Sequence, residues 1–125
     1  MKLLLDTHAL LWALSRPGEL APEARRLLQD PGNTIFVSAA SAWEMEIKRA
    51  LGKLQAPNDL PEQIERQRFA ELPVRLRHIQ ALKGLPALHR DPFDRILVAQ
   101  ALADELVVVT RDARIRAYPI RSIVC

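Results

Sequence analysis

Lys2 to Leu5 is a short apolar run that stops at Asp6, and Leu10, Leu11 and Leu14 then recur at helical spacing. The pattern predicts a strand followed by a helix. Pro17 and Gly18 end that helix, Pro22 opens a second one reaching Gln29, and Asp30, Pro31, Gly32 and Asn33 supply the turn chemistry that closes it. Thr34 to Ser38 is β-rich. Ser41 to Leu51 consists of helix formers, with Trp43, Ile47 and Leu51 on one stripe and Gly52 as the stop, so Trp43 is expected to pack in the core, as is Trp12 on the first helix.

Asp59, Pro61 and Glu62 form a capping-box arrangement that predicts a helix to about Glu71, followed by a minor strand over Leu72 to Val74 and a helix over Arg75 to Lys83. Asp91, Pro92 and Asp94 then open a strong helix running to about Asp104, with Asp91 as its N-cap. Leu106 to Val109 is the clearest strand, and Ser122 to Val124 suits a last one. Strands separated by helical crossovers predict an α/β sandwich with a mostly parallel sheet, because parallel neighbours need long connections.

The 125 residues, 49% of them hydrophobic and 26% charged, suit one domain over 1–125 with a real core, and exclude both a disordered chain and a membrane span. The single cysteine, Cys125, allows no internal disulfide; with no export signal in view, a cytoplasmic location is expected. Net charge is only +3, but just 4 of the 18 cations are Lys. Arg matches phosphate oxygens in a bidentate way, which permits a phosphate-rich partner.

In a parallel sheet every strand ends on the same edge, where open α/β folds bind their ligands. Asp6 follows the first strand and Asp112 the Leu106 to Val109 strand, while Glu44 and Asp94 lie in the opening turns of helices that start at that edge. Carboxylates gathered there raise one another's pKa unless a cation compensates them. Oxygen ligands without Cys or paired His favour Mg²⁺ or Mn²⁺ over zinc, and such a site suits phosphodiester hydrolysis. Thr110, at a strand end, is expected to support it. Each acid also has a local explanation: Asp6, Asp94 and Asp112 as helix or turn caps, Glu44 as the i,i+4 partner of Lys48. His8, His78 and His89 show no metal-ligand spacing, and Glu46 is expected to face away from Glu44.

The segments LLLDTHALLW, SAASAWEMEIK, HRDPFDRILVAQA and VVVTRD, in that order and spanning nearly the whole chain, resemble a PIN-domain ribonuclease, specifically the VapC-like toxin of toxin–antitoxin modules. The resemblance implies a three-layer α/β/α domain and a metal-dependent endoribonuclease whose metal site is Asp6, Glu44, Asp94 and Asp112, assisted by Thr110. It further implies RNA as substrate, a small cognate antitoxin seated in a groove of the early helices, and homodimers that assemble further with antitoxin. A protein kinase lacks the required motifs here, and a phosphoacceptor receiver domain lacks its acid pair and Lys. The remaining alternative is a catalytically silent RNA- or partner-binding module.

Overall fold

The computed structural model describes residues 1–125 as five parallel strands in the order β3-β2-β1-β4-β5. The strands are β1 (Lys2–Leu5), β2 (Thr34–Ser38), β3 (Ala70–Leu72), β4 (Val107–Val109) and β5 (Ser122–Ile123). Seven α-helices connect them: α1 (Thr7–Ser15), α2 (Pro22–Gln29), α3 (Ala39–Ala50), α4 (Leu60–Arg66), α5 (Leu76–Leu82), α6 (Pro92–Asp104) and α7 (Ala113–Arg116). A single 3₁₀ turn, Pro17–Glu19, ends the first excursion.

Strand β1 lies at the centre, with Leu5 in register with both Val37 and Val109. Side chains alternate across a strand, so a central strand covered on both sides must be apolar at every position. Leu3, Leu4 and Leu5 meet that demand and are fully buried. Leu3 and Leu5 pack with Ile35, Val37, Val107 and Val109 against α1, α2 and α4, whereas Leu4 and Val108 pack against α5, α6 and α7 through Leu97, Val98 and Ile115. These two cores define the three-layer α/β/α architecture expected from the sequence.

The chain leaves β1 toward β2 and β3 on one side and returns to β4 on the other. The reversal places a switch point at the carboxyl ends of β1 and β4, the crevice where open α/β sheets bind ligands. Asp6 and Thr110 are the residues next after those two strands, and Asp6 N–H still donates to the Val109 carbonyl at 3.1 Å.

Several sequence expectations shift. Trp43 is 64% exposed and Leu51 is exposed as well, because α3 buries Ala40, Ser41, Glu44 and Met45 instead of the Trp43, Ile47, Leu51 stripe. Trp12 is half-buried and packs against the core as expected. Helix α4 ends at Arg66, since the chain turns through a left-handed conformation at Arg68 (φ 60°). Asp59 caps no backbone N–H of α4 and instead accepts from the Gln63 and Arg66 side chains. Strand β3 precedes Pro73 rather than spanning it, consistent with the missing proline N–H. Helix α7 has no counterpart in the sequence pattern.

Candidate functional site

Asp6 and Asp112 stand where a strand gives way to a helix, whereas Glu44 lies within α3 and Asp94 in the first turn of α6, which follows α5 through a loop. Asp6 caps α1, its Oδ1 accepting from Ala9 N–H at 2.8 Å, and its Oδ2 accepts the Thr110 hydroxyl at 2.5 Å. Thr110 Oγ1 in turn accepts from Asp112 N–H at 3.0 Å, which ties the end of β4 to the end of β1. Asp112 caps α7 through Arg114 N–H and takes the Arg114 guanidinium as a partner. Asp91 caps α6, accepting from Phe93 and Asp94 N–H, so the Asp94 carboxylate in the first turn has no capping role.

Glu44 is buried on α3 and both of its oxygens are engaged. Oε1 accepts the Thr7 hydroxyl at 2.6 Å and Oε2 accepts from Lys48 Nζ at 2.7 Å. Its local pairing with Lys48 is therefore realised, and the ion pair holds the Lys48 ammonium above its ordinary range. Asp94 Oδ2 lies 3.1 Å from His89 Nε2, and His89 Nδ1 lies 2.8 Å from the Tyr118 hydroxyl. His89 thus has a direct place beside Asp94 that its isolated position in the sequence does not signal. His78 is a buried structural residue, bonded to Arg75 N–H and Asp104, and Glu46 pairs with Arg49 on the surface as expected.

The acids influence one another electrostatically. Burial raises the Asp6 carboxyl above its ordinary range, and the charge of Asp112 adds to that rise. Burial likewise raises Asp94, reinforced by the charges of Asp91, Asp112 and Glu44. Asp112 runs the other way: the Arg114 guanidinium holds it below the usual carboxylate range. The four side chains do not converge into a closed ligand cage, and each has a partner of its own, Thr110 for Asp6, Lys48 for Glu44, His89 for Asp94 and Arg114 for Asp112. They share one edge and one field instead.

Oxygen donors of this kind suit a hard divalent cation. Mg²⁺ commonly keeps several waters and takes only one or two carboxylates directly, so a finished cage is not required. Burial leaves the Asp6 and Asp94 carboxyls above their ordinary range, so both gain from a nearby positive charge.

A five-stranded parallel sheet of this order, with acidic residues along its carboxyl edge, defines an open α/β domain whose ligand crevice is acidic. The PIN domain family model matches residues 3–120, and the chain belongs to that family. Over 35 residues it is 54% identical to a protein named ribonuclease VapC16 from Mycobacterium tuberculosis, a match covering 28% of this chain and 25% of that relative. The alignment therefore spans about a quarter of the relative's length. Among solved structures, VapBC2 from Rickettsia felis bound to a DNA fragment from their promoter superposes with a TM-score of 0.75 at 16% identity, covering 99% of this chain and 98% of that one. DNA-bound VapBC from Salmonella typhimurium gives 0.71 at 19% identity, with coverage of 99% and 98%. FitAcB from Neisseria gonorrhoeae gives 0.59 at 20%, with coverage of 97% and 96%. At these identities the structural likeness speaks for the fold.

Proposed function

We propose that this protein is a Mg²⁺- or Mn²⁺-dependent endoribonuclease that acts as the toxin of a toxin–antitoxin pair. The observation that carries the reading is the delivery of Asp6, Glu44, Asp94 and Asp112 to one sheet edge, where burial and mutual charge disfavour two of the carboxylates as free anions. The mycobacterial ribonuclease relative supports the activity.

In this reading Asp6 and Asp94 hold the metal, with Asp112 and Glu44 completing the site by orienting water. When bound, the ion activates water as the nucleophile and stabilises charge on the scissile phosphate and the leaving oxygen. The chain's own residues do the positioning. Thr110 fixes the Asp6 carboxylate through a hydroxyl that is itself fully buried, and so sets its direction against the edge. Thr7 and Lys48 immobilise Glu44, and the Lys48 ammonium offsets its charge. Arg114 lies beside Asp112, exposed and able to turn toward an RNA phosphate.

We assign the expected antitoxin to the face beside α1. A groove of about 610 Å³ runs beside α1, lined by His8, Leu11, Trp12, Lys53, Leu54 and Gln63. A separate apolar hollow of about 440 Å³, lined by Trp43, Val74, Ile79, Leu82, Phe93 and Ile96, supports the homodimer, since an exposed contiguous apolar face marks an interaction site. No helix is long and apolar enough to cross a membrane.

The activity and its substrate are tested together by sequencing RNA ends after brief expression of wild type and Asp94→Asn in the same cells. New ends confined to the wild type are expected. The same end pattern in both would reject direct cleavage.

A further inference from the structure

We propose that His89 is a positioning residue for Asp94, set in its working tautomer by Tyr118 and Arg95. The inference rests on the metal-site reading given above and deepens it. Four side chains form a chain of contacts: Arg95 Nη1 to the Tyr118 hydroxyl at 2.9 Å, that hydroxyl to His89 Nδ1 at 2.8 Å, and His89 Nε2 to Asp94 Oδ2 at 3.1 Å. They come from the start of α6, the loop preceding it and the segment following α7, so only the folded domain assembles them.

The direction of the chain follows from donor and acceptor counting. Arg95 has only N–H donors, so the Tyr118 oxygen accepts from it. Tyr118 is buried, and a buried hydroxyl proton needs an acceptor; His89 Nδ1 is the one in reach. Nδ1 then carries no proton, which places the ring proton on Nε2, facing the Asp94 carboxylate. His89 therefore donates to Oδ2 and engages that oxygen, while Oδ1 makes no hydrogen bond within the protein. The carboxylate is turned so that a defined oxygen is left for a cation at the sheet edge.

The side chains of His89 and Asp94 are 10% and 14% exposed, too enclosed for water to substitute freely for the missing partner. The same Arg95 Nη1 also donates to the Pro86 carbonyl at 2.9 Å and the guanidinium lies near the Tyr118 ring face, which stiffens the far end of the relay. Partners that orient a ligating carboxylate in this way typically change metal affinity by about 10- to 100-fold when removed.

The test is Mn²⁺ binding by titration calorimetry on the full chain, with folding checked by denaturant unfolding, for wild type, Asp94→Asn, His89→Ala, His89→Gln and Tyr118→Phe. Gln can present its amide N–H near the position of Nε2; Tyr118→Phe keeps the ring packing and removes only the hydroxyl that sets the tautomer. Expected are a loss of about tenfold or more in Mn²⁺ affinity for His89→Ala, recovery of most of it in His89→Gln, and an intermediate loss for Tyr118→Phe. Wild-type affinity in folded His89→Ala or folded Tyr118→Phe overturns the positioning role, as does a His89→Gln variant no better than alanine. Absence of Mn²⁺ binding by the wild type, or binding that Asp94→Asn leaves intact, instead overturns the metal-site reading on which the role rests.

Discussion

Thr110 and Asp6 are separated by 104 residues, yet the Thr110 hydroxyl donates to Asp6 Oδ2 across a buried distance of 2.5 Å. The contact exists because β4 returns to pair with β1, so the residues following the two strands become neighbours. It stitches the switch point of the sheet and aims a carboxylate at once. Thr110→Val keeps the shape but leaves Asp6 and Asp112 N–H without this partner, at an expected cost of about 1–3 kcal/mol in stability measured by urea unfolding. Thr110→Ser retains the hydroxyl and is expected to keep both most of that stability and the nuclease activity.

Asp6 and Asp94 give the metal-free protein an unusual response to pH. Both have carboxyl pKa values raised in the folded state, so between their ordinary range and their folded values the native protein binds more protons than the unfolded one. Their contribution to stability is therefore present at low pH and lost as pH rises through the folded values. Asp104 and Asp112, whose guanidinium partners Arg77 and Arg114 lower their pKa, act in the opposite sense and lose their contribution on acidification. The difference between wild type and Asp94→Asn isolates one residue: in chelator, the variant is expected to melt higher than wild type at neutral pH and to lose that advantage toward acid. A wild type that is more stable than the variant at neutral pH in chelator would contradict it.

Millimolar Mn²⁺ or Mg²⁺ is expected to raise the wild-type melting temperature, because a ligand that binds only the native state stabilises it. The same addition should do little for Asp94→Asn. Differential scanning fluorimetry with and without excess chelator reads both outcomes.

Trp43 bears on assembly. Its ring stands edge-on to Phe93 at 5.2 Å and closes one side of the apolar hollow between α3 and α6. Trp43→Glu places a charge in that hollow without touching the core and is expected to shift the protein from the proposed dimer to a monomer in light scattering after gel filtration, with its melting temperature nearly unchanged; a wild type that is already monomeric would contradict the dimer proposal.

The elements that order the candidate site were largely readable from the sequence because their signals are local. Strand β2 and helices α2 and α6 keep the boundaries expected for them, since Pro22, Pro92 and the Asp91 cap act within a few residues. Asp6, Ser38, Asp91 and Asp112 all cap helices, and the same local chemistry puts them at the carboxyl edge of the sheet. The local and functional readings of the acids were therefore compatible rather than rival.

What escaped detection depends on tertiary choice. Helix α3 carries two competing stripes, and periodicity alone cannot tell which one the fold buries. The buried stripe is the smaller and more polar of the two, with Ala40, Ser41 and Glu44, because it faces the neighbouring helices at the site. The presence of small residues at those spacings was the available signal. His89 is invisible for another reason: its partners, Asp94 and Tyr118, belong to segments whose proximity only the completed sheet creates.

Hydrolysis of RNA at the acidic edge with the help of a divalent ion is the step on which the proposed function turns. Its most direct measurement is cleavage of a panel of structured RNAs by purified wild type and folded Asp94→Asn, each assayed with Mn²⁺, with chelator, and with Mn²⁺ restored. Cleavage by the wild type alone, abolished by chelator and recovered on adding metal back, is expected. Equal cleavage by Asp94→Asn, or RNA binding by the wild type without any cleavage, would rule out metal-assisted hydrolysis at this edge.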